Sequence, residues 1–150
     1  FLVEAAVRSL VPPGGKLLIL RNGSYAERAV RLATEAGRIV VGIEGPDTRP
    51  VGAEAIAAAL AADPAIGHVL AVHNETGSGI VNDPAVIGPV VRAAGRRLIM
   101  DSVSAFGALP FSLAEHPECD AVLFTAGKSP EIYPRIGVCI ARVERLLAPG

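Results

Sequence analysis

Short, continuously apolar runs alternate along the chain with longer alanine-rich stretches in which apolar residues recur every three or four positions. The runs at Lys16–Leu20, Ile39–Ile43, His68–Val72, Arg97–Met100 and Ala121–Phe124 are too short for helices, and most lack the in-and-out alternation of a half-exposed strand. They predict strands of a parallel sheet covered on both faces. The stretches Leu2–Leu10, Tyr25–Ala36, Ala53–Ala62 and Pro84–Ala94 predict helices, with Gly14-Gly15, Gly37 and Gly95 at their ends, where a left-handed residue stops a helix. A last run, Ile136–Ala141, follows Lys128 too soon for a helical crossover and is expected to pair antiparallel through a hairpin. The repetition predicts an α/β fold, a mostly parallel sheet with helices on both faces and right-handed crossovers.

Sheets of this kind bind ligands in the crevice beyond the carboxyl ends of their strands. Those positions read Asn22-Gly23-Ser24-Tyr25 after the first strand and His73-Asn74-Glu75-Thr76-Gly77-Ser78-Gly79 after the third. They continue with Asp101-Ser102-Val103-Ser104 after the fourth and Thr125-Ala126-Gly127-Lys128 after the fifth. Polar, aromatic and glycine residues are concentrated there. A nucleotide-binding Rossmann reading fits poorly, because neither G-x-G-x-x-G nor a P-loop follows the first strand.

Composition narrows the classes. The 150 residues are 51% hydrophobic and carry a formal charge of -1, and at this size one domain buries about 68–70% of the surface its unfolded chain exposes. Scattered arginines and near-zero charge leave no electrostatic footprint for nucleic acid or an anionic membrane. The longest uncharged stretch, Ser102–Ala114, has 13 residues, short of a membrane span. Cys119 and Cys139, in apolar surroundings and without C-x-x-C spacing, read as reduced core thiols of a cytoplasmic protein. His68, His73 and His116 are too dispersed to suggest a metal site. They read as a strand residue, a structural member of its segment and a surface residue, and Arg96-Arg97 as a solvated start to a strand. The chain opens at Phe1 on an amphipathic pattern without a signal peptide and reads like a chain met part-way.

Only two of the 14 basic residues are lysines, Lys16 and Lys128. Lys128 lies 27 positions after Asp101, at the end of the next strand and on the same rim of the sheet. Singly, Asp101 fits a helix cap or a carboxylate bonded to loop amides, and Lys128 a solvated loop lysine. A carboxylate at the end of a buried strand, however, calls for a cationic partner. A lysine, unlike an arginine, can lose its proton when desolvated and trap a carbonyl. The pair is the pattern a pyridoxal 5'-phosphate (PLP) site requires, the lysine holding the cofactor and the aspartate keeping its pyridine nitrogen protonated. Thr125, Thr76 and Ser78 offer hydroxyls for the phosphate or the ring oxygen, and Tyr25 a flat face for stacking.

Taken in order, Asn22-Gly23-Ser24-Tyr25-Ala26-Glu27-Arg28, His73 to Gly79, Asp101-Ser102-Val103-Ser104-Ala105-Phe106-Gly107, and Lys128 followed by Ile136-Gly137-Val138 resemble the class V aminotransferases of fold type I. The resemblance is co-linear over nearly the whole chain. Within the family it is strongest to the branch that moves the amino group of 2-aminoethylphosphonate to pyruvate, with the alanine or serine:glyoxylate or pyruvate branch next. It implies the PLP-dependent transferase fold and a cytoplasmic homodimer acting on small-molecule amines and 2-oxo acids, with no nucleic acid or membrane partner. By motif it implies Lys128 as the cofactor-holding lysine, Asp101 as partner of the pyridine nitrogen and Tyr25 as the stacking aromatic. Val103 becomes the apolar residue on the ring's other face and Thr76 a hydroxyl near the ring oxygen.

The resemblance also sets the expected organisation: residues 1–150 as a partial large, PLP-binding domain, with the family's Gly-Ser-Gly-Thr phosphate loop falling before Phe1 and the small domain after Gly150. Three positions depart from the family. Gly127 replaces the Asn or Gln usual before the lysine, Ala26 a frequent Gly, and Pro130-Glu131-Ile132-Tyr133-Pro134-Arg135 a glycine-rich turn. Gly127, the altered turn and a phosphate loop falling before Phe1 motivate an alternative of another class, a non-catalytic relative that keeps the fold for binding or assembly.

Overall fold

A computed structural model describes residues 1–46, 48–128, 130 and 136–146. Its main sheet has the strand order β2-β1-β3-β6-β7-β8, made of β1 (Lys16–Arg21), β2 (Ile39–Glu44), β3 (Ile66–Val72), β6 (Arg97–Asp101), β7 (Cys119–Thr125) and β8 (Gly137–Ala141). The first five are parallel, and β8 runs antiparallel to β7, with Leu123 opposite Cys139. The expected mixed sheet is therefore present. Most of the expected 130–135 turn and Leu147–Gly150 lie outside the described residues.

The unbroken apolar runs have a simple cause. In β1, Leu17 and Ile19 face the side covered by α1 (Leu2–Leu10) and α2 (Ser24–Glu35), while Leu18 and Leu20 face the side covered by α3 (Ala53–Ala62) and α4 (Pro84–Ala93). All four leucine and isoleucine side chains are fully buried, because side chains alternate faces along a strand and here both faces are core. Alanines Ala26, Ala29 and Ala33 bring α2 close against its face. Gly37 and Gly95, at φ of 74° and 68°, follow α2 and α4 in the left-handed conformation that a helix stop favours.

Helix ends are also tied by Arg38, which is buried and makes its bonds to main-chain oxygens. Its guanidinium donates to the carbonyls of Arg8, Val11 and Ala36, the carboxyl ends of α1 and α2, where the negative ends of both helix dipoles stabilise a cation.

Several sequence expectations change. Strands β3 and β7 each start two residues earlier than the pattern suggests, at Ile66 and Cys119, and β6 extends to take in Asp101. Cys139 is exposed on the edge strand β8, so only Cys119 is a core thiol, and its burial pushes the thiol up to about 12. His116 is mostly enclosed, bonded to Glu118 and stacked on Phe111. Arg97 bonds the buried carboxylate of Asp120, and Arg96 donates to the Pro64 carbonyl. Asp120 and Pro64 reach the two arginines from segments distant in sequence, whereas Glu118 and Phe111 lie close along the chain to His116. A short hairpin, β4 (Asn74–Glu75) with β5 (Ile80–Val81), and a final turn of helix, α5 (Val143–Leu146), carry no clear periodicity and were not expected. No helix among the described residues is long and apolar enough to cross a membrane.

Candidate active site

The carboxyl ends of β1, β3, β6 and β7 open onto one side of the sheet, and the segments singled out from the sequence meet there. A cavity of about 230 Å³ is lined by Tyr25, Arg28, Asp101, Val103 and Thr125 together with the start of α1. A smaller one of about 20 Å³ adjoins it, sharing Tyr25, Asp101 and Val103 and adding Asn74, Thr76, Ser104 and Lys128. All six expected residues, Lys128, Asp101, Tyr25, Thr76, Val103 and Thr125, therefore line two cavities with three walls in common. Ser78 is not among them; its hydroxyl accepts a bond from the Ile80 amide in the β4–β5 turn. A larger cavity, about 570 Å³ between α3 and α4, is apolar apart from Arg96 and lies away from these residues.

Asp101 ends β6, paired with Val72 on one side and Leu123 on the other, and is only 6% exposed. Its Oδ1 accepts from the Val103 amide at 3.1 Å, as the loop-amide reading expects. Among the described residues no ion pair reaches it. Burial raises its pKa above the usual carboxylate range, with Glu75 adding to the rise and the Val103 bond and Arg28 opposing it. The cation this carboxylate calls for is thus not supplied by a direct partner among the described residues. Lys128 lines the same small cavity but is exposed, so these residues alone do not provide the desolvation expected of its amine. Tyr25, in the first turn of α2, is 39% exposed and lines both cavities.

Behind this wall lies a polar layer that sequence reasoning only partly located. The amides of Asn22 and Asn82, both buried, bond each other reciprocally at 2.7 and 3.1 Å, and Asn82 also donates to the Val72 carbonyl. His73 shares a 3.1 Å bond with the Ser102 hydroxyl, and burial keeps its imidazole below the ordinary histidine pKa. Ser104 donates to the Asn74 carbonyl at 2.7 Å. These bonds knit the ends of β1, β3 and β6 together. Asn82 was not singled out from the sequence, and a lone asparagine before a helix gives no signal of a partner 60 residues away. Replacing it with alanine strips partners from the buried Asn22 amide and Val72 carbonyl. We expect a loss of about 2–4 kcal/mol, read as a lower denaturant midpoint with unchanged slope.

Comparison with known proteins bears on the fold and the family. The family described as Aminotransferase class-V matches residues 1–147. The 2-aminoethylphosphonate–pyruvate transaminase of Pseudomonas entomophila (strain L48) is 40% identical over 148 residues, 99% of this chain and 40% of that relative. Its counterpart in Rhizobium meliloti (strain 1021) is 43% identical over 99% of this chain and 38% of its own length. The chain thus spans about two fifths of the curated relatives it matches. Among solved structures, pyridoxamine-pyruvate aminotransferase from Mesorhizobium loti superposes with a TM-score of 0.87 at 29% identity, covering 95% of this chain and 36% of that one. Ureidoglycine-glyoxylate aminotransferase from Bacillus subtilis gives the same score at 23% identity, which speaks for the fold alone. With a match running from the first residue to the 147th, the chain belongs to the class-V aminotransferase family.

Proposed function

We propose that these residues form the PLP site of an aminotransferase that, in the intact protein, moves the amino group of 2-aminoethylphosphonate to pyruvate, giving phosphonoacetaldehyde and alanine. In this reading residues 1–150 are part of the large, cofactor-binding domain of a cytoplasmic homodimer, the assembly the family resemblance implies. The observation that carries the chemistry is the meeting of Lys128 and Asp101 on one cavity. The choice of substrates rests on about 40% identity to relatives of that name.

The residues fit the cofactor. A buried carboxylate without an ion pair among the described residues suits the protonated nitrogen of a pyridine ring. When bound, PLP supplies an electron-accepting ring that draws charge away from the carbon bearing the substrate's nitrogen. Asp101 would hold the ring's N–H, Tyr25 and Val103 would flank its faces, and the Thr76 and Thr125 hydroxyls would bond its oxygens. The start of α1, Leu2 and Val3 beside Arg28, lines the cavity of about 230 Å³ and offers free amides and positive charge to an anion such as the cofactor's phosphate. Lys128 Nζ would hold the cofactor, give way to the substrate amine, and then carry the proton off the substrate carbon.

Borohydride reduction of the intact protein loaded with PLP, followed by peptide mapping, tests the reading. The label is expected on the peptide containing Lys128, and a protein that takes up no cofactor there is not a working enzyme of this class. Comparing kcat/KM for 2-aminoethylphosphonate with pyruvate against alanine or serine with glyoxylate then separates the two branches.

A further inference from the structure

Helix α2 starts without a cap of its own. Gly23 stands at the cap position and has no side chain to offer, although a serine or asparagine there would close the first turn with little cost. The open amides are taken instead by Glu75, fifty residues further along, whose Oε1 accepts from Ala26 at 2.7 Å and Oε2 from Tyr25 at 3.2 Å. Glu75 is completely buried. Gly23 is what admits it: a Cβ there would lie 2.3 Å from Glu75 Cδ and 2.5 Å from Oε2. Since Gly23 has a φ of 171°, an extended conformation open to any residue, the space alone explains the glycine.

A local cap would satisfy the same amides without joining anything. Glu75 sits between Asn74 and Thr76, which line the small cavity, and one of the amides it holds belongs to Tyr25, which lines both cavities. The Asn74–Thr76 segment is anchored in turn by Ser104, which bonds the Asn74 carbonyl, and by the pairing of Glu75 with Ile80. We propose that Glu75 is a positioning residue that ties the two walls of the site together and fixes the Tyr25 ring where it flanks the cofactor. The proposal rests on the reading of the site as a PLP site. It assigns Glu75 no contact with cofactor or substrate; it acts through the main chain of Tyr25.

The test uses the full-length protein and two variants, Glu75→Gln, which keeps the shape but loses one acceptor oxygen, and Gly23→Ala, which pushes the carboxylate aside without altering a functional group. In cofactor-free protein, hydrogen exchange at the Tyr25 and Ala26 amides is expected to quicken about tenfold in both, the effect of losing a cap. In loaded protein the visible circular dichroism of the cofactor is expected to change, and kcat per bound cofactor to fall about tenfold or more while KM for the amine holds. Glu75→Gln with normal dichroism and kcat per bound cofactor overturns the proposal, even if it melts earlier, because a purely structural role predicts that result. If Glu75→Gln fails to fold, the same comparison on Gly23→Ala decides. A wild-type protein that takes up no cofactor on Lys128 overturns the reading of the site instead, and the exchange rates still report whether the clamp exists.

Discussion

Lys128→Arg in the intact protein is expected to abolish transamination, with kcat lower by about 10⁴-fold or more, although the positive charge is kept. An arginine stays protonated at any pH the protein survives and has neither the free amine nor the proton-transfer capacity required of this position. The substitution separates the two roles a lysine on the rim of this cavity can have. If Lys128 served only as a charge for a phosphate or phosphonate, arginine would preserve most of the rate. Because the residue is exposed on the cavity's edge, the change is expected to leave the melting temperature of the cofactor-free protein close to wild type, so a lost rate cannot be assigned to unfolding. Alanine formation from pyruvate, together with borohydride labelling, measures both halves of the expectation.

Asp101→Asn is expected to lower kcat by about 10²- to 10³-fold and, in the same protein, to make the cofactor-free state more stable. Asparagine keeps an oxygen that can accept from the Val103 amide but cannot carry the charge that would hold a pyridine nitrogen protonated. The stability change follows from the direction of the pKa shift. Burial, with Glu75 nearby, raises the folded-state pKa of Asp101 above the ordinary value. The folded state therefore holds the proton more tightly than the unfolded one, and wild-type stability declines as pH rises from the ordinary carboxylate range through the raised pKa. Below that window the carboxyl is protonated in both states and the penalty is absent. The asparagine variant should thus match wild type in acid and gain on it toward neutral pH, which thermal melts of cofactor-free protein across pH would show. A gain in stability with a loss of rate is the trade-off expected of a charge buried for function. A variant less stable than wild type at neutral pH would mean that Asp101 is satisfied by its neighbours and needs no bound cation.

Reading the chain alone located the elements well because two strong signals coincide. Strands buried on both faces become unbroken apolar runs, as Leu17 to Leu20 show, and alanine-rich helices lying close on a sheet keep a clear period, as in α2. The candidate site was legible for a related reason: the rim of a parallel sheet gathers residues that each immediately follow a strand. Tyr25, Thr76, Val103 and Lys128 lie in such segments and Asp101 and Thr125 close their strands, so a list of strand ends is nearly a list of the cavity walls. The mistakes have an equally physical origin. Cys139 has apolar neighbours in sequence yet lies on an edge strand, Arg97 reads as solvated until Asp120, distant in sequence, meets it, and His116 is enclosed by its near neighbours Phe111 and Glu118.

Periodicity and the order of the strand-end segments were enough to establish an α/β sheet and to bring an amine and a carboxylate to one rim, since both follow from local burial and from the rules of crossover. The connections that make that rim a site needed the folded chain. Glu75 capping α2, Asn22 against Asn82 and the burial of Asp101 without an ion pair among the described residues each depend on groups tens of residues apart. Buried polar atoms take whichever partner the packing brings within about 3 Å, and that choice leaves no mark on the local pattern of either partner.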